Sequence, residues 1–200
     1  MRFKDVPLSN FDLRDWCRFL NIPIKGIFSR NEDKPLHHSP CIINLDDFGS
    51  IGTHWVCCWR AKNGDHEYFD SFGLPPPYEW EQELKRLGKK GFLRNDNQLQ
   101  WIKSVRCGFC CLLFLNERNR GTSFKKILNM FSSNVFVNER IVKNYFSLVY
   151  MMDVYCVKDR RITPNVEGTE KVFVTKNKRK MLQVKCAVYG ITKSRFLPGN

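Results

Sequence analysis

Apolar and polar positions alternate along this chain in two distinct rhythms. Near the start, Leu13, Trp16, Cys17 and Leu20 recur at i, i+3, i+4 and i+7. That spacing predicts an amphipathic helix over residues 10–21, capped by Ser9 or Asn10 and stopped by Pro23. Asn31–Pro40 reads as loop, with His37 and His38 as surface residues. Three short runs with β-branched and aromatic residues then predict strands at Cys41–Leu45, His54–Arg60 and His66–Asp70. Lys62-Asn63-Gly64-Asp65 joins the last two as a hairpin. Leu74–Pro77 breaks the chain. A helix follows over 78–87, with Trp80, Leu84 and Leu87 on one face and Gly88 as its stop. Gly91–Gln100 reads as loop leading into a short strand.

Cys107–Asn116 (CGFCCLLFLN) is apolar all round, which predicts a helix buried on every side. Two amphipathic helices follow. Phe124, Ile127, Leu128 and Phe131 align on one; Ile141, Val142, Tyr145 and Phe146 align on the other, after an Asn138 cap. The sum is an α+β domain in which helices flank a central antiparallel sheet. Near Met151 the composition shifts to Val, Thr and Lys, and a boundary falls at 148–153. The domains expected are 1–150 and a small β-rich appendage, 151–200, with a hairpin around Asn177–Lys180.

Composition adds two constraints. Of 200 residues, 42% are hydrophobic and 14% aromatic, a globular balance. No apolar run is long enough for a membrane span, and the N-terminus lacks the apolar core of a secretory signal. Nine cysteines without such a signal point to reduced thiols in cytosol, nucleus or a particle. The net charge of +13 is uneven. Residues 1–100 balance 14 Lys/Arg against 14 Asp/Glu, whereas 101–150 carry 8 against 2 and 151–200 carry 11 against 4. A basic second half favours a polyanion, most simply nucleic acid; the plainer alternative is a well-solvated basic face.

Three cysteines fall within five residues at the start of the all-apolar helix. Cys107 stands at its N-terminus, where the helix dipole and Arg106 both favour a thiolate and hence a nucleophile. Gly108 beside it is expected to let a substrate backbone approach. Cys110 and Cys111 lie inside the helix as small hydrophobes. Zinc would need a second ligand pair, and Cys57 and Cys58 alternate to opposite faces of a strand.

A thiol nucleophile needs a base. His54, in GTHWVCCW, is the candidate, against the alternative of an ordinary edge or core histidine. Asp70, in YFDSFG, is the candidate orienting acid, against a turn-starting Asp. A two-residue turn at Asn63-Gly64 would pair 57 with 70 and put His54 and Asp70 on opposite sides. A three-residue loop or a bulge would pair 58 with 70 and put them on one side. Gln100 can supply an amide donor to an oxyanion, or be a surface glutamine.

GTHW, then YFDSFG, then Gln-x6-Cys followed by GFC resembles the adenovirus-type cysteine endopeptidases. The order His, acid, Gln, Cys and the seven-residue final step are theirs. SNFDLRDWCRFLNIPIKGIFSRNE, CIINL, FDSFGLPPP and NERIVKNYF resemble most closely the proteases of Polinton (Maverick) elements and adintovirus-like viruses, over about residues 8–147. The resemblance implies a papain-like (adenain-like) α+β fold with His54 as base, Asp70 as its orienting acid, Gln100 as oxyanion donor and Cys107 as nucleophile. Trp55 and Gly108 are the expected substrate-binding neighbours. The implied activity is cleavage of capsid or core precursor proteins during virion maturation, often next to glycine, in virion, nucleus or cytoplasm. The expected partners are polypeptide substrates and DNA, with no membrane contact, for a chain acting as a monomer.

No cofactor is expected to be required. The adenoviral enzymes bind a peptide activator through a cysteine between acid and nucleophile, and this chain has none between Cys58 and Cys107. DNA as a non-covalent activator fits the basic second half. YCVKDRR and VKCAVYGITKSRFLPG resemble small basic zinc-ribbon proteins, but Asp159 and Tyr189 stand where the second thiol after Cys156 and Cys186 is required, so no zinc is expected. Two other functions share parts of this pattern. A ubiquitin- or SUMO-type deconjugase usually places Gln six residues before Cys within Asp-Cys-Gly; here the step is seven and Arg106 replaces the Asp. A catalytically silent DNA-binding virion protein would need no intact set of four.

Overall fold

The computed structural model describes residues 6–33, 35–50, 52–152, 155–156, 158, 161–162, 169, 171–186 and 188–196. The chain divides into two compact units, the first ending at Lys143 and the second beginning at Asn144.

In the first unit, helix α1 (Asn10–Phe19) buries Leu13, Trp16 and Cys17. Ser9 and Asp12 close a reciprocal capping box at its start. It ends two residues earlier than the apolar spacing predicts, and Pro23 is not the stop. Asn21 takes a left-handed conformation at φ 53°. The Ile22 N–H then reaches back to the Cys17 carbonyl at 2.9 Å, which satisfies the last turn as a Schellman motif does.

Five strands form one sheet in the order β1 (Gly26–Ser29), β2 (Cys41–Asn44), β3 (Trp55–Arg60), β4 (His66–Phe69), β5 (Phe92–Arg94). The fold is α+β, but the sheet is mixed rather than antiparallel. Its three inner strands run antiparallel, while β1 lies parallel to β2 and β5 parallel to β4. The connections explain this. A stretch including the 3₁₀ turn Pro35–His38 returns the chain from β1 to β2, and α2 (Tyr78–Leu87) returns it from β4 to β5. Each is long enough for a parallel crossover. β1 is a half-buried run of four residues without alternation, so no pattern announced it. β5 opens the Gly91–Gln100 stretch, and the loop follows it.

Strand alternation sends adjacent cysteines to opposite faces. Cys57 turns to α3 (Cys107–Asn119), where its thiol meets the Cys111 carbonyl at 3.9 Å. Cys58 packs into a cluster with Tyr68, Val56, Trp80 and Leu84. Helix α3 is buried at every position from Cys107 to Asn116, and Phe114 stacks on Phe69 of the sheet at 4.6 Å. A methyl group on Gly108 would meet Leu13 and Leu8 side chains at 3.2–3.3 Å. Gly108 therefore serves the close packing of α3 on α1 and the arm before it, which replaces the expected substrate contact.

Two further helices follow, one within the first unit and the next running past its end at Lys143. α4 (Phe124–Leu128) is one short turn capped by Ser123, so Phe131 falls outside it. α5 (Val135–Met152) starts before Asn138. Asn134 caps it instead, its side chain accepting from the Phe136 N–H at 3.0 Å. Asn138 is thus freed for a different task inside the helix.

In the second unit, β6 (Tyr155–Cys156) pairs antiparallel with β7 (Arg161–Ile162). β8 (Lys171–Val174), β9 (Lys180–Lys185) and β10 (Thr192–Phe196) form an antiparallel meander with β9 in the middle. The expected hairpin turns at Thr175–Arg179. Asp159 lies outside the described residues.

The hairpin between β3 and β4 decides which residues face each other. Its loop has three residues, Lys62-Asn63-Gly64, closed by Ala61 N–H to Asp65 carbonyl and Gly64 N–H to Ala61 carbonyl hydrogen bonds, both 2.9 Å. Gly64 sits at φ +90°, where a Cβ is strained. Cys57 pairs with Phe69, so one step further Val56 stands opposite Asp70. The pairing is shifted two residues from the 58-to-70 alternative. Two residues preserve parity, so His54 and Asp70 fall on one side. Gly64→Ala is expected to cost about 1–2 kcal/mol by forcing a left-handed alanine, read as a lower urea midpoint at unchanged slope.

Candidate active site

His54 ends the approach to β3 and Asp70 follows β4. Their side chains meet directly: His54 Nε2 lies 2.7 Å from Asp70 Oδ1. Both are buried, Asp70 completely. Asp70 Oδ1 also accepts from the Phe72 N–H at 2.7 Å, which curls the chain into an Asx turn. The Phe72 ring returns over the imidazole and stacks on it at 4.5 Å. The backbone of Asp70 is gripped from the loop after β5. The Asn95 side chain accepts from the Asp70 N–H at 3.0 Å and donates to its carbonyl at 2.5 Å.

This geometry fixes the chemistry of the ring. A carboxylate accepts only, so Nε2 carries a proton. Nδ1 is then the basic nitrogen, and it is buried with no hydrogen-bond partner among the described residues. Burial pulls the imidazole down. The hydrogen bond and charge of Asp70 and the Cys107 sulfur beside the ring outweigh that, and the group is lifted to about 9.

Cys107 is the first residue of α3, and Arg106 at the N-cap makes no side-chain capping bond. Cys107, His54, Gln100, Trp55 and Phe72 line one cleft of about 610 Å³. The arm Pro7–Asn10, residues 27–29 of β1 and residues 47–50 and 52–53 also line it. Trp55 is held there by donating from Nε1 to the Leu8 carbonyl at 2.9 Å. Gly108 is not part of this wall. Burial pushes Cys110 and Cys111 well above the usual thiol range, and Cys57 and Cys17 up to about 11 and about 12.

Gln100 is buried, not a surface residue. Its Oε1 accepts from the Ser71 hydroxyl at 2.7 Å, and its Nε2 donates to the Ser104 carbonyl at 2.7 Å. Those two bonds fix which end of the amide is which, and they leave one Nε2 hydrogen. The seven-residue step to Cys107 is a compact loop clamped by α5. Asn138 donates to the Leu99 carbonyl at 2.9 Å. Glu139 accepts from the Trp101 N–H at 3.3 Å and the Ser104 hydroxyl at 2.9 Å, and pairs with the Arg106 guanidinium at 3.0 Å.

The four residues singled out in the sequence thus come to one place: three on the cleft wall and Asp70 behind His54. Ser71, Phe72, Asn95 and Glu139 were not singled out, and Asn138 was read only as a helix cap. Asn95 and Ser71 are 0% exposed polar residues in loops, and only burial distinguishes them from ordinary turn residues. His37, an exposed residue, pairs with Glu83 rather than joining the site. Among the described residues, no group of three or more His, Cys, Asp or Glu is placed to hold a metal ion. No described helix is long and apolar enough to cross a membrane.

The raised imidazole sets a pH dependence of stability. A folded value of about 9 against an unfolded value near 6.5 means His54 stabilises the fold fully below about 6.5. That contribution is lost as pH rises through about 9. Urea unfolding is expected to show a fall of up to about 3 kcal/mol over this interval. In Asp70→Asn the fall shrinks, and an NMR titration of the His54 ring shifts to lower pH.

No protein-family model matches the chain, and no curated protein matches it.

Proposed function

We propose that the chain is a thiol endopeptidase with Cys107 as nucleophile and His54 as base. The observation that carries this is the single orientation forced on the imidazole. Asp70 takes Nε2, so Nδ1 is left for a proton, and Cys107 stands beside the ring in the same cleft.

The reaction runs as follows. The Cys107 thiol passes its proton to His54 Nδ1, and the sulfur attacks the carbonyl carbon of the scissile peptide. The resulting oxyanion is received by the Cys107 backbone N–H and the remaining Nε2 hydrogen of Gln100. Collapse breaks the C–N bond, and the leaving amine takes the Nδ1 proton. Water then attacks the thioester and gives a proton to Nδ1. The second collapse releases the carboxylic acid and returns the proton to sulfur. A ring lifted to about 9 holds the proton it has taken from Cys107 until the leaving amine collects it. Phe72 stacked on the ring excludes water from one of its faces.

The mixed α+β sheet with a nucleophile-bearing helix against it fits a papain-like, adenain-like fold. The substrates proposed are polypeptides of the capsid- or core-precursor class, cut during maturation. The seven-residue Gln-to-Cys step supports this over a deconjugase, because Glu139 and Asn138 clamp a loop of that length.

The proposal is tested with a library of internally quenched peptides. Wild type should cleave at a defined bond, and Cys107→Ala should not cleave at all. Gln100→Ala should lower kcat by roughly 10²–10³ with a small change in KM. Glu139→Gln should lower kcat by about 10-fold or more through a loosened loop, with the pH profile unmoved because Glu139 transfers no proton. Full activity in Cys107→Ala would refute the proposal.

A further inference from the structure

The three-stranded meander of the second unit has two unlike faces. Leu182, Val184 and Lys193 alternate onto one of them and are 5%, 1% and 3% exposed. The register puts their neighbours on the other face. Phe173 stands opposite Met181, and Met181 opposite Phe196. These three side chains form one row straight across the sheet. Phe173 is 37% and Phe196 47% exposed. The adjacent rows on the same face are polar or basic: Lys171, Gln183 and Ser194, then Lys185 and Thr192. The Arg179 guanidinium lies over the Phe196 ring at 4.2 Å. Residues 171–196 contain eight Lys/Arg and no Asp or Glu.

Phe173 and Phe196 stand on strands about 10 Å apart, two strand spacings, each part exposed, with Arg179 over one face of the Phe196 ring. The charge around them selects a polyanion. The rings select one whose flat apolar groups are free to stack. A duplex keeps its bases stacked on each other, out of reach of a flat sheet. A single strand offers them, and its phosphates can meet Lys171, Lys185 and Arg179 alongside. Gln183, Ser194 and Thr192 add hydrogen-bonding groups for base edges, where a membrane-inserting face would carry more apolar side chains.

We propose that the Phe173–Met181–Phe196 face binds single-stranded nucleic acid by stacking bases on the two phenyl rings. This function is independent of the thiol chemistry and adds a second site to the chain.

The test uses the full chain and fluorescence anisotropy of a labelled 20-mer of thymidylate, alongside a labelled duplex of the same length. The single strand should bind at least about ten times more tightly than the duplex. Phe173→Ala with Phe196→Ala should lose roughly 10–100-fold of single-strand affinity and leave duplex binding unchanged. Phe196→Trp, which keeps a stacking surface, should retain tight binding and so separates lost stacking from lost folding. Lys171→Gln with Lys185→Gln should weaken both oligonucleotides and flatten the salt dependence. Equal binding of both oligonucleotides, indifferent to the Phe changes, would overturn the proposal in favour of a generic basic surface. So would co-sedimentation with phosphatidylserine vesicles in the absence of oligonucleotide binding.

Discussion

The hydrogen bond from His54 Nε2 to Asp70 Oδ1 joins the ends of two neighbouring strands in a place that water does not reach. The rest of the site depends on it. It fixes the tautomer, so the second nitrogen becomes the base. It helps hold the imidazole at about 9 although burial pulls the other way. Such a bond forms only if the strands arrive in the right phase. A loop of three residues closed by Gly64 provides that phase, whereas a loop of two would turn the carboxylate to the opposite side. A backbone choice at residue 64 thus sets side-chain chemistry at residues 54 and 70.

The second half of the site is built on a different principle. Cys107 is carried by a helix too buried to shift, and Gln100 is carried by a loop. Loops of this kind drift unless they are tied. Asn138 and Glu139, adjacent on α5, tie the loop at Leu99, Trp101, Ser104 and Arg106. Ser71 then sets the Gln100 amide, and Ser71 directly follows Asp70. Asp70 and Gln100 are therefore held in one continuous frame through adjacent Ser71.

Much of this was legible in the sequence. The short runs with β-branched and aromatic residues at Cys41–Asn44, Trp55–Arg60 and His66–Phe69 mark strands, and the unbroken apolar run from Cys107 marks a buried helix. His54, Asp70 and Cys107 stand at the ends of elements, whereas Gln100 lies in a loop and only the resemblance to the adenovirus-type pattern drew attention to it. The parallel edge strands were not legible, because Gly26–Ser29 is short and half-buried, Phe92–Arg94 is short and largely exposed, and pairing supplies their order. Asn138 resembles a cap in sequence because a cap and a buried clamp use the same amide. Gly108 resembles an opening for substrate because a glycine's missing side chain does not say which neighbour needs the space. In both cases the deciding fact is a long-range contact, with Leu99 in one and with Leu8 and Leu13 in the other.

The proposed mechanism requires one thiol among nine to be chemically distinct because His54 stands beside it. Limiting iodoacetamide on the folded protein near neutral pH, followed by peptide mapping, measures this most directly. The account predicts a dominant adduct at Cys107 that disappears in His54→Ala, with Cys110, Cys111 and Cys57 unmodified on the same timescale. Slow, uniform labelling of the thiols, indifferent to His54, would contradict it.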